Sequence, residues 1–496
     1  MPLAVFSVDL LSDNLLLLAS VLVFIAVLIT KVGVKLGAPS LLLFLLLGMA
    51  VGADGLGLRF EDYETAESIG HFAMTVILFS GGFETVLKET KPVMKRGIML
   101  STVGIFFTAL LTGFFIYFAT GRIIAGTGVS IMACLLVAAV MSSTDSTSVF
   151  SVLNGKRLRL RSNLAPLLEL ESGSNDPVAY ILTILLVKFM TEPSLQGLNP
   201  GVSIVAGIVV VLFQVVVGVA VGFGVGFGAK WLLSKIRLEN NSLMGILILS
   251  TGFFANGLAS VLHGQGLLSI YIAAVIISNK VTIARKKEIE KFFDGITWIM
   301  QLAMFLILGL LARPSSMLPV MFPAILTGLF LIFVARPVSV FLTLAPFKGI
   351  KFKEKLFVSW VGLKGAGPIL FALYPVVHEV HGASEIFNVV FVVSLMSLIL
   401  QGMTLTPVAK WLNLSYPEDP EVESYGMELP EEMGLLSDHI VTPDDISAGK
   451  TLREMHLPHG IRVMMVKRQG KFLVPHGSME LAVGDHLIIV MGDSDD

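Results

Sequence analysis

Ionisable and hydroxyl side chains interrupt three otherwise apolar segments of this chain. The first segment carries the run SSTDSTS at 142–148, the second carries Glu169, Glu171 and Asp176, and the third carries GLKGAGP at 362–368. A charged side chain at the centre of a bilayer costs at least about 2.5–3.5 kcal/mol, so such residues mark functional sites when they occur in membrane-spanning helices. These three segments therefore form the candidate site.

Oxygen-bearing side chains in the first two segments suit a small, hard, monovalent cation. Ser172 and Asp176 are four residues apart, so they share one face of a helix, and Thr144 and Asp145 supply further oxygen atoms. A carboxylate that holds either a proton or a cation, but never both, couples the movement of one to the movement of the other. Asp176 is the predicted position of this competition.

The first and third segments predict helices that break inside the membrane. Consecutive Ser, Thr and Asp side chains compete with the helical backbone for hydrogen bonds, and Gly with Pro weakens a helix through entropy and a missing N–H. Asp145 is suited to neutralise the positive N-terminal ends of the half-helices, and Lys364 the negative C-terminal ends. Lys364 is also the predicted ion-pair partner of Glu171. Interrupted helices in corresponding halves of a chain indicate the binding site of a transporter.

The composition requires a membrane protein to position these residues. The 496 residues are 54% hydrophobic and 15% charged, whereas soluble domains are about 25% charged. The net charge of −2 excludes a nucleic-acid binder that works by bulk charge. The single cysteine, Cys134, excludes an intramolecular disulfide and a thiolate metal cluster, and its apolar neighbours predict a buried side chain.

Apolar runs close to the ~20 residues that cross a bilayer recur through the first four hundred residues. They predict thirteen transmembrane helices, of which the fifth and the twelfth are the broken ones. The predicted positions are 14–32, 39–54, 68–87, 97–118, 128–152, 163–187, 202–229, 242–261, 266–279, 293–311, 317–342, 356–375 and 386–409. Lys and Arg concentrate in the odd-numbered connections, and cytoplasmic loops collect these residues. The N-terminus is therefore predicted outside and the C-terminus in the cytoplasm.

The composition becomes that of a soluble protein after Trp411. Residues 413–432 are acidic and contain proline, which predicts a solvated linker between a membrane domain at 1–412 and a terminal domain at 433–496. The terminal domain is predicted to be a small α+β fold in the cytoplasm, with a helix-like segment at 448–455. Its strand-like runs lie at 434–436, 461–466, 472–475 and 486–491. Because so small a core is marginal alone, pairing with a second copy is favoured.

Two further features have structural interpretations. Arg336-Pro337 lies near the cytoplasmic end of the eleventh predicted helix, where it predicts a kink with a charge that extends to the membrane interface. Five glycines of the seventh helix predict close helix packing, for which a dimer contact is one location. These glycines are Gly218, Gly222, Gly224, Gly226 and Gly228.

The motifs resemble those of the NhaP-type monovalent cation/proton antiporters, in their potassium/proton branch. Thr144-Asp145 together with Glu171-Ser172 and Asn175-Asp176-Pro177 resembles the paired signature of that family. The segment WVGLKGA at 360–366 resembles its second broken helix, and LFSGG at 78–82 and FDG at 293–295 add to the likeness. The resemblance spans roughly residues 10–412, and the terminal domain resembles a TrkA-C domain.

The resemblance implies an all-α polytopic protein of the plasma (inner) membrane, with thirteen helices, inverted repeats, two crossed broken helices and a homodimeric assembly. Asp176 is implied to bind the cation and the proton with Asn175 as its partner. Thr144, Asp145 and Ser172 are implied to complete the cation site. Glu171 is implied to pair with the family's usual arginine, whose position is Lys364 in this chain.

The implied activity is exchange of K⁺, or alternatively Na⁺, for H⁺ in pH and cation homeostasis. Because Asn175 rather than a second Asp precedes Asp176, one cation is expected to exchange for one proton without net charge. No cofactor is expected, since the ions are substrates. A TrkA-C-like domain implies a nucleotide-type regulator at Lys450, Arg453 and Arg462, with a solvated basic edge as the alternative.

A gated potassium channel with a regulatory tail is the alternative function that the sequence leaves open. The chain contains no TVGYG-type filter of backbone carbonyls, which weighs against a pore. An enzyme is disfavoured further, because the histidines are scattered and the outer connections are short. They include His71, His263, His378 and His381.

Overall fold

The computed structural model forms two compact units, Met1–Asp419 and Pro420–Asp496. The structure describes residues 15–36, 39–120, 130–156, 158–192, 200–236, 241–281, 286–417, 436–441, 445, 451–455, 461–468 and 471–491.

The first unit is built from helices that overlap the predicted apolar runs, with ends that differ by up to seven residues. They are α1 (Leu15–Leu36), α2 (Ser40–Val51), α3 (Tyr63–Glu84), α4 (Met94–Ala119), α5 (Ile131–Val140), α6 (Ser146–Gly155), α7 (Leu164–Thr191), α8 (Pro200–Lys235), α9 (Asn241–Val261), α10 (Gly266–Lys280), α11 (Lys286–Leu311), α12 (Pro314–Thr343), α13 (Phe352–Trp360), α14 (Ala366–Val377) and α15 (Ala383–Trp411). A four-residue helix, Leu87–Thr90, follows α3. Within the described ranges, six helices are long and apolar enough to cross a membrane, namely α4, α8, α9, α11, α12 and α15.

Both predicted helix interruptions are present. Residues 141–145 between α5 and α6 are not helical, and neither are residues 361–365 between α13 and α14. The polar run and the Gly-rich run therefore break their helices, as the competition for backbone hydrogen bonds predicts.

Several long helices contain π-helical segments, at Leu100–Gly104 in α4, Leu331–Ala335 in α12 and Leu398–Gly402 in α15. Such a segment disturbs the regular backbone ladder. The Gly104 carbonyl accepts hydrogen bonds from Thr108 Oγ1 (2.8 Å) and from Ser339 Oγ (2.5 Å). The Ser339 bond joins α4 to α12.

The glycines of α8 separate into two groups. A Cβ atom at Gly218, Gly222 or Gly226 would lie 2.6–2.9 Å from atoms of α10 or of Gln265, the residue before it, whereas one at Gly224 or Gly228 would meet nothing within 4 Å. Close helix packing is therefore confirmed at the first three positions. Cys134 on α5 is buried, as predicted.

A two-stranded antiparallel ladder joins two distant parts of the first unit. β1 (Leu158–Leu160), between α6 and α7, pairs with β2 (Ser415–Pro417), which follows α15. The Arg161 N–H donates to the Leu414 carbonyl at 2.9 Å, and the Arg161 guanidinium lies 5.7 Å from the centroid of the Tyr416 ring. The prediction that residues 415–417 belong to a solvated linker is wrong, because this pairing holds them on the first unit. Residues 418–432 of the predicted linker lie outside the described ranges.

The described part of the second unit is an antiparallel sheet with strand order β3-β6-β4-β5. The strands are β3 (Leu436–Ile440), β4 (Ile461–Arg468), β5 (Lys471–Leu473) and β6 (His486–Met491), close to the predicted runs. The predicted helix at 448–455 is wrong where the structure describes it. Thr451 forms a bridge with Glu480, and the N–H groups of Leu452 and Arg453 donate to the carbonyls of 479 and 477. This pairing holds the segment as turns instead of a helix.

Candidate ion-binding site

A lysine from the other broken helix neutralises the partial negative charge at the C-terminal end of α5. Lys364 Nζ donates to the carbonyl of Ser143 at 2.8 Å and to that of Ser142 at 3.3 Å, and the lysine is 1% exposed. A positive charge near the last carbonyls of a helix is electrostatically favourable. Lys364 therefore has the helix-end role that the sequence predicts.

The two helix breaks also touch through their backbones. The Asp145 N–H donates to the Leu363 carbonyl at 2.9 Å. A Cβ atom at Gly365 would lie 1.9 Å from Asp145 Oδ2, so only a glycine permits this approach. The two interruptions therefore form one structural unit.

Asp145 caps the second half of its own helix. Its Oδ1 accepts from the Ser148 N–H at 3.2 Å, and its Oδ2 accepts from Ser148 Oγ at 2.5 Å. A carboxylate in this position satisfies an N–H group at the start of α6 and complements the positive end of that helix. The predicted role of Asp145 at an N-terminal helix end is confirmed.

Two side chains of α7 bind the break between α5 and α6. Ser172 Oγ accepts from the Ser146 N–H at 3.0 Å and donates to the Thr144 carbonyl at 2.9 Å. Asn175 Nδ2 donates to Thr144 Oγ1 at 2.5 Å, while Asn175 Oδ1 is buried without a hydrogen-bond partner among the described residues. The structure therefore brings Thr144, Asp145, Ser172 and Asn175 together.

Asp176 lies beside this unit on the wall of a cavity of about 760 Å³. A Cβ atom at Gly367, just after the second break, would lie 3.5 Å from Asp176 Oδ1. In the part of the chain that the structure describes, no basic side chain forms an ion pair with Asp176. The carboxylate can therefore be reached by an ion and forms no direct ion pair, while Lys364 acts on it electrostatically.

The cavity is rich in carboxylates and reaches solvent at one end. Its wall includes acidic side chains from three helices and from the break, namely Glu84, Glu89, Asp145, Glu169 and Asp176. Ser80 Oγ donates to Glu84 Oε1 at 3.0 Å on this wall. The end away from Asp176 is lined by the exposed residues Arg159, Arg161 and Asn163, together with Tyr416. An acidic wall attracts cations towards Asp176.

Aromatic side chains pack on the other side of Asp176. Every α7 residue on the cavity wall precedes Pro177, whereas Tyr180 stands one turn beyond Asp176. The Tyr180 ring centroid lies 4.8 Å from that of His71, 5.2 Å from that of Phe371 and 5.9 Å from that of Tyr374. The described cavity therefore approaches Asp176 from the side of α7 that precedes Pro177.

The predicted ion pair between Glu171 and Lys364 is wrong. Glu171 instead pairs with Arg336 at 2.5 Å, and both side chains are buried. Arg336 follows a π-helical segment of α12 and is 2% exposed, so its expected position at the membrane interface is also wrong. The sequence does contain a signal for this pair, because an arginine within an apolar span usually faces the interior and pairs with an acidic side chain there.

The predicted regulatory site of the second unit stays a prediction. Arg453 is exposed, but Lys450 and the side chain of Arg462 lie outside the described residues. A grouping of His, Cys, Asp and Glu suited to a resident metal ion is also absent from the described ranges. A cation at Asp176 would be a substrate.

The chain matches two protein families. The family described as "Sodium/hydrogen exchanger, transmembrane" matches residues 19–411, and the TrkA-C domain matches residues 436–495.

Similar proteins agree with these matches. The K(+)/H(+) antiporter NhaP2 of Shewanella oneidensis is 34% identical over 488 residues, which cover 96% of this chain and 81% of that protein. The K(+)/H(+) antiporter NhaP of Alkalimonas amylolytica is 33% identical over 480 residues, covering 96% and 80%. The sodium proton antiporter MjNhaP1 of Methanocaldococcus jannaschii has the same fold, with a TM-score of 0.66 at 21% identity over 79% of this chain and 97% of that one. The chain therefore belongs to the sodium/hydrogen exchanger family of cation/proton antiporters and carries a TrkA-C domain.

Proposed function

We propose that this protein exchanges K⁺ for H⁺ across the plasma membrane, one for one, by competition of the two ions for Asp176. The observation that carries the proposal is the acidic cavity that ends at an unpaired Asp176 beside the two joined helix breaks. K⁺ is the proposed cation because relatives at 33–34% identity are named K(+)/H(+) antiporters. Na⁺ is the alternative, which the name of MjNhaP1 supports.

The competition couples the two fluxes through the energy of a buried charge. When a proton or a cation neutralises Asp176, the site can cross the apolar barrier. The empty, charged carboxylate has a much higher free-energy cost for the same movement. Thr144, Ser172 and Asn175 would supply the neutral oxygens that complete the cation site. The unpartnered Asn175 Oδ1 supports this role for the asparagine.

The charges around Asp176 support an exchange without net charge movement. Glu171 and Arg336 form a pair, and Asp145 and Lys364 are opposite charges at neighbouring helix ends. Asp176 forms no ion pair within the described residues, and Lys364 is the basic side chain that acts on it electrostatically. A single exchangeable charge favours one cation for one proton.

The proposal also includes the number of membrane crossings, the orientation of the chain and its oligomeric state. Joining α5 with α6 and α13 with α14 as single crossings gives thirteen transmembrane helices, with breaks seven crossings apart, as inverted repeats require. The Lys- and Arg-rich connections support an outer N-terminus and a cytoplasmic C-terminus. The cavity opens at residues 158–163, so this conformation faces the cytoplasm. The active form is proposed to be a homodimer.

A gated potassium channel is not supported, because the family that the chain matches is one of exchangers.

Exchange can be measured in vesicles that contain the purified protein and a pH-sensitive dye. An imposed gradient of K⁺, Na⁺ or Li⁺ is expected to drive proton movement, most strongly with K⁺, and Asp176→Asn is expected to abolish it while still inserting. Glu192→Gln, an exposed carboxylate at the end of the same helix, is the matched control with normal exchange. Cation-driven proton flux in Asp176→Asn, or a current that follows the membrane voltage, would refute the proposal.

A further inference from the structure

We propose that Ser397 and Gln401 on α15 are positioning residues, which hold the break between α13 and α14 in the geometry that ion exchange requires. The inference rests on the proposed exchange at Asp176. Neither residue lines the cavity or contacts Asp176. They influence the ion site indirectly, by holding the backbone of Lys364.

The two side chains replace one missing hydrogen bond of the broken helix. In a continuous helix the N–H of residue 364 would donate to the carbonyl of residue 360. Here the Lys364 N–H donates to Ser397 Oγ at 2.9 Å, Ser397 Oγ donates to Gln401 Oε1 at 2.5 Å, and Gln401 Nε2 donates to the Trp360 carbonyl at 2.7 Å. The bond from 364 to 360 is thus restored through two side chains of a neighbouring helix.

Burial makes this bridge energetically important. Ser397 and Gln401 are both 0% exposed. A buried N–H or carbonyl that loses its partner cannot turn to water instead, so it retains the full cost of desolvation. Removal of either side chain therefore leaves backbone groups of the break unpaired.

The backbone of α15 is adapted at the same place. The π-helical segment Leu398–Gly402 begins immediately after Ser397 and contains Gln401. π-Segments occur frequently at functional sites. On the same helix, Ser394 is equally buried but its Oγ has no partner within the described residues, so the pairing of Ser397 does not follow from burial alone.

The bridge is connected to the ion site through two contacts at residues 363 and 364. The Leu363 carbonyl accepts the Asp145 N–H, and Lys364 Nζ holds the carbonyls at the end of α5. A shift of this backbone would therefore displace Thr144 and Asp145, which adjoin Asp176. Ser397 and Gln401 thereby set the shape of the cation site from a distance.

The experiment compares Ser397→Ala and Gln401→Met with the matched control Ser394→Ala in the full-length protein. The first measurement is deuterium uptake by the peptide spanning residues 361–366, read by mass spectrometry. The second is the K⁺ concentration for half-maximal exchange, together with the pH profile, at equal amounts of inserted protein. A role in folding alone would lower the amount of protein and the maximal rate, but it would change neither the half-maximal K⁺ concentration nor the pH profile.

We expect faster uptake in both variants and an increase of about five-fold in the half-maximal K⁺ concentration, as for one lost hydrogen bond. Ser394→Ala should match the unmodified protein in both measurements. Unchanged uptake, or faster uptake with an unchanged half-maximal concentration and pH profile, would overturn the inference. Absence of exchange in the unmodified protein would instead refute the proposed function, so the two failures are distinguishable.

Discussion

Glu171 on α7 and Arg336 on α12 form an ion pair between buried side chains that are 165 residues apart in sequence. The pair neutralises a carboxylate on the helix that carries Asp176. It also leaves Lys364 to bind the carbonyls of the broken helix. The charge of Glu171 is therefore balanced by a direct partner inside the membrane unit.

Loss of one member of this pair should destabilise the protein strongly. Glu171→Gln leaves Arg336 buried and uncompensated, for which we expect about 3–5 kcal/mol of lost stability. The measurement is thermal unfolding of the protein in detergent. The double variant Glu171→Gln/Arg336→Met removes both charges and should unfold at a higher temperature than Glu171→Gln. A double variant no more stable than the single one would contradict an ion pair.

Lys364→Met should impair exchange by leaving two buried carbonyls at the end of α5 without a donor. Because each unpaired group costs about 1–3 kcal/mol, we expect the exchange rate to fall at least about ten-fold. Lys364→Arg preserves the charge and should retain part of the activity. Both variants are measured in vesicles at matched protein content. Wild-type exchange by Lys364→Met would show that the lysine is dispensable.

Gly365→Ala should separate the two helix breaks, because its Cβ would lie 1.9 Å from Asp145 Oδ2. We expect loss of exchange and a lower unfolding temperature. Gly257→Ala on α9 is the matched control, since a Cβ there meets nothing within 4 Å. That control should be neutral or slightly stabilising, because alanine favours a helix by about 1 kcal/mol over glycine. Equal behaviour of the two variants would argue against the close contact at Gly365.

The proposed orientation predicts which surface residues a membrane-impermeant thiol reagent reaches. In a Cys134→Ser background, Lys91→Cys should react only from the cytoplasmic side, and Leu56→Cys only from the outside. Both residues are exposed, on connections at opposite ends of α3. Labelling of intact cells and of inverted vesicles measures the two sides. The reverse pattern would require the opposite orientation.

Acid should weaken the sheet of the second unit through Asp485. The Arg468 guanidinium donates to both carboxylate oxygens, at 2.9 and 2.6 Å, and holds the pKa of Asp485 below its usual value. The charged carboxylate therefore stabilises the fold above about pH 4, and this contribution is lost as the pH falls through the lowered pKa.

Asp485→Asn should lose this contribution at neutral pH and depend less on pH below it. Protection of the β4 and β6 amides against hydrogen exchange, measured in the intact chain, reports the change. Equal pH dependence in the variant and the unmodified protein would contradict the role of Asp485.

The sequence was sufficient to predict features that depend on local chemistry. The polar run around Thr144 and the Gly-rich run around Lys364 each predict an interrupted helix, and both interruptions are present. Asp145 at an N-terminal helix end and Lys364 at a C-terminal one follow from the same electrostatics. Ser172 and Asn175 join the site because they lie on a helix face that meets the break.

Features that depend on pairing between distant segments could not be predicted in the same way. The partner of Glu171 is decided by the packing of α12, which brings Arg336 into the interior. Ser397 and Gln401 resemble ordinary polar residues of a membrane helix until their contacts with the second break are known. The strands β1 and β2 are three residues each, too short for a periodic pattern.

The β1–β2 ladder holds residues 415–417, at the end of the membrane unit, against the rim of the ion cavity. Tyr416 lines the cavity, and the backbone of 415–417 is paired with the connection between α6 and α7. A pull on the chain at Pro417 would therefore act on these three strand pairs and, through them, on the rim of the cavity.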